Sequence, residues 1–170
     1  MDTGLVLARI IHVVGGIFWV GTMVFLAAFL LPSMMEVGPD AAKVMAALQR
    51  RKFMVILPIV GVLTVLSGIW LLWTVSSGFN SDYMRSGPGH AYSFGGLFAI
   101  SALVVGLTVT RPSMTKSMKL AQEAGAASES DRPAILAQAQ ALRIRGAKSG
   151  QVVAWLLALT ALAMAVGRYV

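Results

Sequence analysis

The chain has 170 residues, of which 57% are hydrophobic and 12% are charged. Soluble domains average about 25% charged residues, so this composition indicates an integral membrane protein. The absence of cysteine excludes disulfides, cysteine-ligated zinc, iron–sulfur clusters and thiol catalysis. The net charge of +7 is not accompanied by any nucleic-acid motif. We therefore predict that the basic residues contact anionic lipid headgroups and that nucleic acid is not a partner.

Four stretches are apolar over the roughly 20 residues that a membrane-spanning helix needs. The predicted spans are residues 5–31, 53–75, 91–110 and 150–170, with Pro58 predicting a kink in the second. The first span lacks a basic leader and exceeds the length of a signal-peptide core, so we expect it to remain uncleaved. The predicted fold is all-α: a single membrane domain, residues 1–170, built as a four-helix bundle.

Most of the Lys and Arg residues fall in the connections 34–52 and 111–149, which leaves Arg9, Arg85 and Arg168 on the other side. The positive-inside rule then places both connections in the cytoplasm and both termini outside. The expected location is a bacterial-type inner membrane, which the chain crosses several times.

Both basic connections contain helix-forming sequence. In the first, a helix is predicted from Asp40 to Gln49, after the turn-like Gly38-Pro39, and is expected to continue into the second span. In the longer connection, residues 125–131 are typical of a turn, and Asp131 is a candidate N-cap. The helix that it begins is expected to run on into the fourth span.

An internal duplication is indicated by two segments at an offset of 80. Residues 15–34 and 95–114 share their Gly-Gly start, a phenylalanine, a valine and the Pro-Ser-Met ending. Further along, Leu63-Thr64-Val65-Leu66 is echoed by residues 159–162. The halves, about 1–80 and 81–170, are thus predicted to be tandem helical hairpins related by an axis along the membrane normal. The paired glycines are expected to permit close helix approach.

An ionisable residue inside a membrane is by default a functional candidate. His12 lies about 10 Å below the outer end of the first span, and its imidazole is suited to ligate haem iron. Arg9 lies one helical turn nearer the outer surface and is a candidate partner for a haem propionate, with Arg85 or Arg168 serving the second. The alternative is that His12 hydrogen-bonds across the bundle while Arg9 extends to the interface.

The second iron ligand is left open between two residues near the start of the third span. His90 is at a suitable depth for a bis-histidine haem, but it lies in the loop-like run Ser86–His90, where a solvated side chain is the alternative. Tyr92 is the residue that matches His12 at the offset of 80.

Aromatic and sulfur-containing side chains supply the remaining candidates. Trp19 lies deep enough to line a flat cofactor, with packing as the alternative, whereas Trp70, Trp73 and Tyr169 are expected in the interfacial aromatic belt. Ten methionines suggest copper as an alternative metal, because thioethers suit Cu(I). No predicted span contains a carboxylate, which argues against a pump with a buried acidic relay.

Residues 5–34 carry a resemblance to a known group. The pattern Arg9-Ile-Ile-His12, then Trp19-Val-Gly21 and Pro32, resembles the first helix of the CopD-like superfamily, which includes copper-resistance D proteins and HemJ-type protoporphyrinogen oxidases. The resemblance extends more weakly through all four spans. It implies a four-helix bundle with His12 matching the haem-linked histidine of the oxidases.

The chain departs from the oxidase pattern in two places. The oxidases carry a lysine near the first-helix histidine, where this chain has Arg9, and a basic residue in the third helix, where residues 91–110 have none. The resemblance therefore implies haem binding without by itself implying protoporphyrinogen oxidation.

These observations lead to one expected function and two alternatives. We expect a haem-b-binding membrane protein acting in electron transfer or redox chemistry. The alternatives are a copper-handling transporter or accessory protein and a structural subunit without a cofactor. The sequence leaves the redox partner open, a quinone included, and does not fix whether the chain forms a homo-oligomer or catalyses a reaction.

Overall fold

The computed structural model describes residues 2–38 and 41–170, without the side chain of Ala42. Pro39 and Asp40, which belong to the predicted start of a cytoplasmic helix, lie outside the described residues. The described part is all-helical. Its elements are α1 (Thr3–Phe25), π1 (Leu26–Leu30), α2 (Leu31–Val37), α3 (Ala41–Arg50), α4 (Phe53–Val75), α5 (Ser81–Met84), α6 (Gly87–Val105), π2 (Gly106–Thr110), α7 (Arg111–Ala126) and α8 (Arg132–Val166).

Four helical segments are long and apolar enough to cross a membrane. They are segment 1 (Thr3–Val37), segment 2 (Phe53–Val75), segment 3 (Gly87–Ala126) and segment 4 (Arg132–Val166). The chain is therefore a membrane protein by the length and composition of its helices. We call the end that holds α3 and the turn after α7 the basic end, and the opposite end the terminal end.

The helix of segment 2 has the same bounds as the predicted span 53–75, whereas the other three helical segments differ in length from the apolar stretches that predicted them. Segments 1 and 3 continue through π1 and π2 to Val37 and Ala126 instead of ending at the hydrophobic boundary. Segment 4 begins at Arg132, as the expected continuation of a cytoplasmic helix requires, and ends at Val166. The apolar pattern marks the part of a helix that lipid can surround, whereas helices extend as far as backbone hydrogen bonding allows.

Three predictions about the connections need correction. The α3 helix does not continue into segment 2. Lys52 adopts the left-handed backbone conformation with φ 58°, which interrupts the helix between α3 and α4. The turn is shorter than residues 125–131, since α7 runs to Ala126. Asp131 stands at the N-cap of α8, but its carboxylate accepts from the Ser128 hydroxyl at 2.6 Å and caps no helix N–H. Pro58 lies inside α4, which is helical on both sides of it, and the kink there stays a prediction.

Each segment packs against two neighbours. Segment 1 contacts segments 2 and 4, and segment 3 contacts the same two. Consecutive segments are antiparallel: Trp19 approaches Gly61 while His12 approaches Gly68 on the returning helix. The central core combines segments 1, 3 and 4 through six buried residues: Trp19, Met23, Ala99, Ala102, Val153 and Leu157.

The outward faces of the segments carry large apolar side chains. Examples are Phe29, Leu66, Leu97 and Leu162, all of which are exposed. Apolar surface of this extent is incompatible with a monomer in water, and it fits helices that are surrounded by lipid acyl chains.

Segments 1 and 3 each contain one π-helical turn. π1 and π2 each span five residues, begin at positions 26 and 106, and are each followed by a proline in the next helix. Proline lacks the N–H that a continuing helix needs, and a π-helical turn is a local adjustment that often marks functional regions. The two turns lie 80 residues apart, the offset that relates the matching sequences.

Segments 3 and 4 extend well beyond a membrane at the basic end. Segment 3 has 40 residues, about 60 Å of helix, against a hydrocarbon core of about 30 Å. The extension, α7 with the first half of α8, is an antiparallel hairpin. It is held by the Ser117 hydroxyl, which donates to the Ala139 carbonyl at 2.8 Å, and by Arg132 Nε, which donates to the Ala124 carbonyl at 3.2 Å.

Candidate functional site

His12 lies on the face of α1 that packs against segment 2. Its Nδ1 is 2.8 Å from the carbonyl oxygen of Thr64, and its ring covers Gly68, one helical turn further along α4. His12 lies about 13 Å along the helix axis from Thr3, the first residue of α1. Trp19 lies two helical turns further toward the basic end, on the same face of α1. The imidazole therefore points toward the protein interior in the half of the molecule nearer the terminal end.

The contact with Thr64 determines where the ring proton sits. A carbonyl oxygen can only accept, so Nδ1 must carry the hydrogen and donate it. In the neutral imidazole, Nε2 then keeps its lone pair. No described hydrogen bond ends on Nε2, and every buried side-chain nitrogen or oxygen within residues 2–38 and 41–170 has a partner. Nε2 is consequently an accessible lone pair on an oriented ring, which is the arrangement found in metal-ligating histidines.

Residues of segment 2 form the support for this ring. A Cβ atom on Gly68 would lie 2.6 Å from His12 Cε1, so only glycine admits the imidazole at this position. The Thr64 hydroxyl donates to the Val60 carbonyl at 2.8 Å, which satisfies it without involving His12. Neither Thr64 nor Gly68 was singled out as a site residue from the sequence. The available signal was the repeated Leu-Thr motif, which placed Thr64 at a matched position of the two halves.

The terminal-end arginines are exposed. Arg9 precedes His12 by three residues on α1, Arg85 follows α5 and Arg168 follows α8. No ion pair involving any of the three occurs in the described part of the chain, where Lys119 and Glu123 form one at 3.7 Å. All three guanidinium groups are thus available to an anion from outside the protein.

His90 does not share the environment of His12. The run from Ser86 that the sequence suggested to be a loop is helical from Gly87, with the Ser86 hydroxyl accepting from the Gly89 N–H as N-cap. His90 is exposed on α6 in line with Phe94 and Leu97, which are also exposed. This stripe faces away from the interior, and no described contact joins His90 to His12.

Tyr92 occupies a place in segment 3 that resembles the place of His12 in segment 1. Its ring lies against Gly167 at the end of segment 4, as the His12 ring lies against Gly68. The phenol is close to that of Tyr83 in α5. Burial, and to a smaller degree this neighbour, raises the pKa of Tyr83 above its usual value. Tyr83 therefore remains a neutral phenol throughout the physiological range.

Trp19 is buried, with 4% of its surface exposed. An added Cβ on Gly61 would lie 3.0 Å from the Trp19 ring, so the indole packs directly against the backbone of α4. On the basic side of Trp19 lies a cavity of about 110 Å³. The expected belt residues Trp70, Trp73 and Tyr169 are exposed.

The cavity brings methionines together in a way that the sequence did not indicate. Four of its lining residues are Met23, Met45, Met54 and Met114, which belong to four different helices. Their spacing in the sequence follows no repeating motif, so only the packing of α3 and the segments reveals the grouping.

Protein side chains alone offer little to a bare metal ion. Among the described residues, no group of three or more His, Asp, Glu or Cys could hold one. A search of family models, curated proteins and solved structures finds no match to this chain.

Proposed function

We propose that the protein binds haem b within the membrane through His12 and acts in electron transfer or redox chemistry. The observation that carries this proposal is the state of the His12 ring: Nδ1 donates to the Thr64 carbonyl at 2.8 Å, while Nε2 is left accessible and unpartnered among the described residues. In metal-ligating histidines, a hydrogen bond from one ring nitrogen fixes the tautomer and orients the lone pair of the other nitrogen toward the metal.

The donor set favours haem over a bare ion. A porphyrin supplies four nitrogens itself and needs one axial protein ligand, whereas zinc or copper sites built from His and carboxylates need three or more such groups. The described chain contains no such group. When bound, haem would supply a one-electron iron couple, and the protein would tune it through the axial ligand and the surrounding polarity.

The remaining candidate residues have distinct proposed roles. Arg9 would pair with a propionate, because it lies one turn from His12 toward the terminal end and no described residue pairs with it. Arg85 or Arg168 would serve the second propionate. As a candidate second ligand we favour Tyr92, whose ring packs against Gly167, over His90, which is exposed on an outward stripe.

The proposal is tested by purification in mild detergent after expression with haem supply. We expect a red protein with a Soret band and roughly one haem per chain by the pyridine haemochrome assay. A colourless preparation that binds no added haemin would overturn the proposal. The sharp α-band of a low-spin haem would indicate two strong axial ligands.

A copper-handling function is the second candidate, and the grouping of Met23, Met45, Met54 and Met114 around one cavity favours it. Thioether sulfurs are soft ligands that suit Cu(I). The same preparation distinguishes the two candidates, because copper handling predicts a colourless protein that retains stoichiometric Cu(I) after dialysis.

We also propose that the fold is a four-helix bundle of two duplicated hairpins. Besides the π-helical turns at an offset of 80, a glycine–threonine contact supports this. Gly15 lies against the Thr64 hydroxyl, and the Gly95 carbonyl accepts from the Thr160 hydroxyl at 3.2 Å. Membership of the CopD-like superfamily is part of the same proposal and rests on the first-helix pattern.

The proposed orientation places both termini outside and the basic end in the cytoplasm. Because the chain has no cysteine, single cysteines can be introduced at exposed sites on opposite ends, as Asp82→Cys and Glu129→Cys. In intact cells, an impermeant maleimide should label the first and spare the second, while both react after permeabilisation. The reverse pattern would contradict the orientation and move the His12 site to the other leaflet.

Substitution Arg9→Gln tests the propionate role. If the guanidinium pairs with a propionate, its loss should weaken haem retention several-fold. The midpoint potential should also fall by roughly tens of millivolts, because a nearby positive charge disfavours the ferric form. The haem-to-protein ratio after purification measures retention, and a redox titration of the purified variant measures the midpoint potential.

Arg143→Gln makes the same change on the extended hairpin and serves as the matched control, for which neither quantity should move. An Arg9→Gln protein with unchanged haem content and potential would assign Arg9 to lipid phosphate instead.

A further inference from the structure

The cavity on the basic side of Trp19 is separate from the surroundings of His12. Its walls come from all four segments and from α3, and they are almost entirely apolar. Representative lining residues are Trp19, Met23, Leu57, Ala102, Leu107 and Val153. The lining of segment 3 alone runs from Ala102 to Met114, about 18 Å along the axis. The cavity is thus a narrow slot directed from the protein centre toward the basic end.

A single missing side chain helps to keep the slot open. Gly106, the first residue of π2, lines the cavity, and a Cβ built on it meets no atom within 4 Å. The matching first residue of π1 is Leu26, which lines the same cavity. The second half of the molecule therefore leaves unfilled the volume that a leucine would occupy.

The basic end of the slot is its polar end. Thr110 and Arg111 line it there, and Met45 and Leu48 of α3 cover it. The Thr110 hydroxyl is engaged with the Ser149 hydroxyl at 3.0 Å, so it offers little to a ligand. Arg111 is exposed and forms no described ion pair. An apolar slot with an available cation at its mouth is complementary to an amphiphile with an anionic head.

We propose that this slot binds an acyl chain of an anionic membrane lipid, with the headgroup at Arg111 and the chain directed toward Trp19. Engineered apolar cavities of about 150 Å³ take a benzene ring, so this smaller, elongated one suits a flexible chain better than a large ring. A membrane protein is surrounded by such chains, and the cation selects among headgroups. The inference does not depend on haem binding at His12.

Trp19 is a built-in reporter of occupancy. It is 4% exposed, whereas Trp70, Trp73 and Trp155 are 59%, 53% and 73% exposed and would contact bulk lipid. The variant Trp70→Phe/Trp73→Phe/Trp155→Phe retains Trp19 as the sole tryptophan of the four. This protein is reconstituted into phosphatidylcholine vesicles that contain 10 mol% of either phosphatidylglycerol or phosphatidylcholine with brominated acyl chains, since bromine quenches indole fluorescence on contact.

We expect brominated phosphatidylglycerol to quench Trp19 at least twofold more than brominated phosphatidylcholine, in a manner that saturates with its mole fraction. Gly106→Leu in the same background fills the slot and should reduce quenching to the level of the neutral lipid. Gly21→Leu is the matched control, because Gly21 is exposed, has no atom within 4 Å of an added Cβ and lies outside the cavity. Quenching in that variant should be unchanged.

Arg111→Gln tests the headgroup without altering the core, and it should abolish the preference for the anionic lipid. Circular dichroism and gel filtration verify the fold of each variant. Equal quenching by the two lipids in the parent protein would overturn the proposal. So would a preference that survives both Gly106→Leu and Arg111→Gln in folded protein.

Discussion

Replacement of His12 by alanine is expected to remove haem from the protein while leaving it folded and inserted in the membrane. The substitution deletes the proposed axial donor Nε2, so haem occupancy should fall at least tenfold, a change equivalent to about 1.4 kcal/mol or more of binding free energy. The lost hydrogen bond to the Thr64 carbonyl costs only about 1 kcal/mol of stability, which the remaining packing should tolerate. Soret absorbance per unit of protein after purification measures the effect.

His90→Ala is the control, because His90 is exposed and lies on the outward stripe of α6. Its haem content should match the parent, and an unchanged spectrum would exclude it as the second ligand. Free imidazole added to His12→Ala protein should restore part of the haem binding, since it supplies the missing nitrogen ligand to the iron without the histidine side chain. Full haem retention by His12→Ala would remove His12 from the site.

The largest effect on stability is expected for Leu157→Ala. Leu157 has 0% of its surface exposed and belongs to the core cluster with Trp19 and Ala102. Large-to-small changes at such positions cost about 2–5 kcal/mol, because the cavity left behind removes close contacts from every neighbour. The unfolding free energy can be followed by circular dichroism during titration of the detergent-solubilised protein with dodecyl sulfate.

Leu162→Ala gives the comparison within the same helix. Leu162 is 62% exposed and faces the lipid, where an alanine and a leucine differ little in packing with the rest of the protein. We expect its loss of stability to stay below about 0.5 kcal/mol, as for other surface changes. Equal losses at both positions would mean that α8 is rotated relative to the structure described above.

Hydropathy was sufficient to predict the four segments, because a helix that is exposed to lipid must carry a long apolar run. This requirement does not depend on which helices it packs against. It could not predict where helices end outside the apolar region. There, single residues decide the path, such as Lys52, whose left-handed backbone separates α3 from α4. Likewise, glycine and proline between Ser86 and His90 suggested a loop, yet proline is well tolerated in the first turn of a helix.

The candidate site was predictable in its central residue but not in its support. His12 was identified because an ionisable side chain within a membrane-spanning helix is energetically costly and usually functional. Its partner is a backbone carbonyl of Thr64, and a carbonyl carries no sequence signal. The role of Gly68 could not be predicted from the sequence either, since it depends on the His12 ring that lies over it. The methionine-lined cavity depends on how α3 folds back onto the segments, which no local pattern encodes.

The extended hairpin of α7 and α8 has a practical consequence for imaging so small a membrane protein. α7 has 16 residues, about 24 Å of helix. Only residues 127–131 separate its end at Ala126 from the start of α8 at Arg132. A rigid soluble domain grafted between Ser128 and Ser130 by continuous helical linkers would stand clear of the detergent belt. Its orientation would be fixed by both helices at once. Such a fusion would give particles of 18.0 kDa the asymmetric mass that electron microscopy needs for alignment.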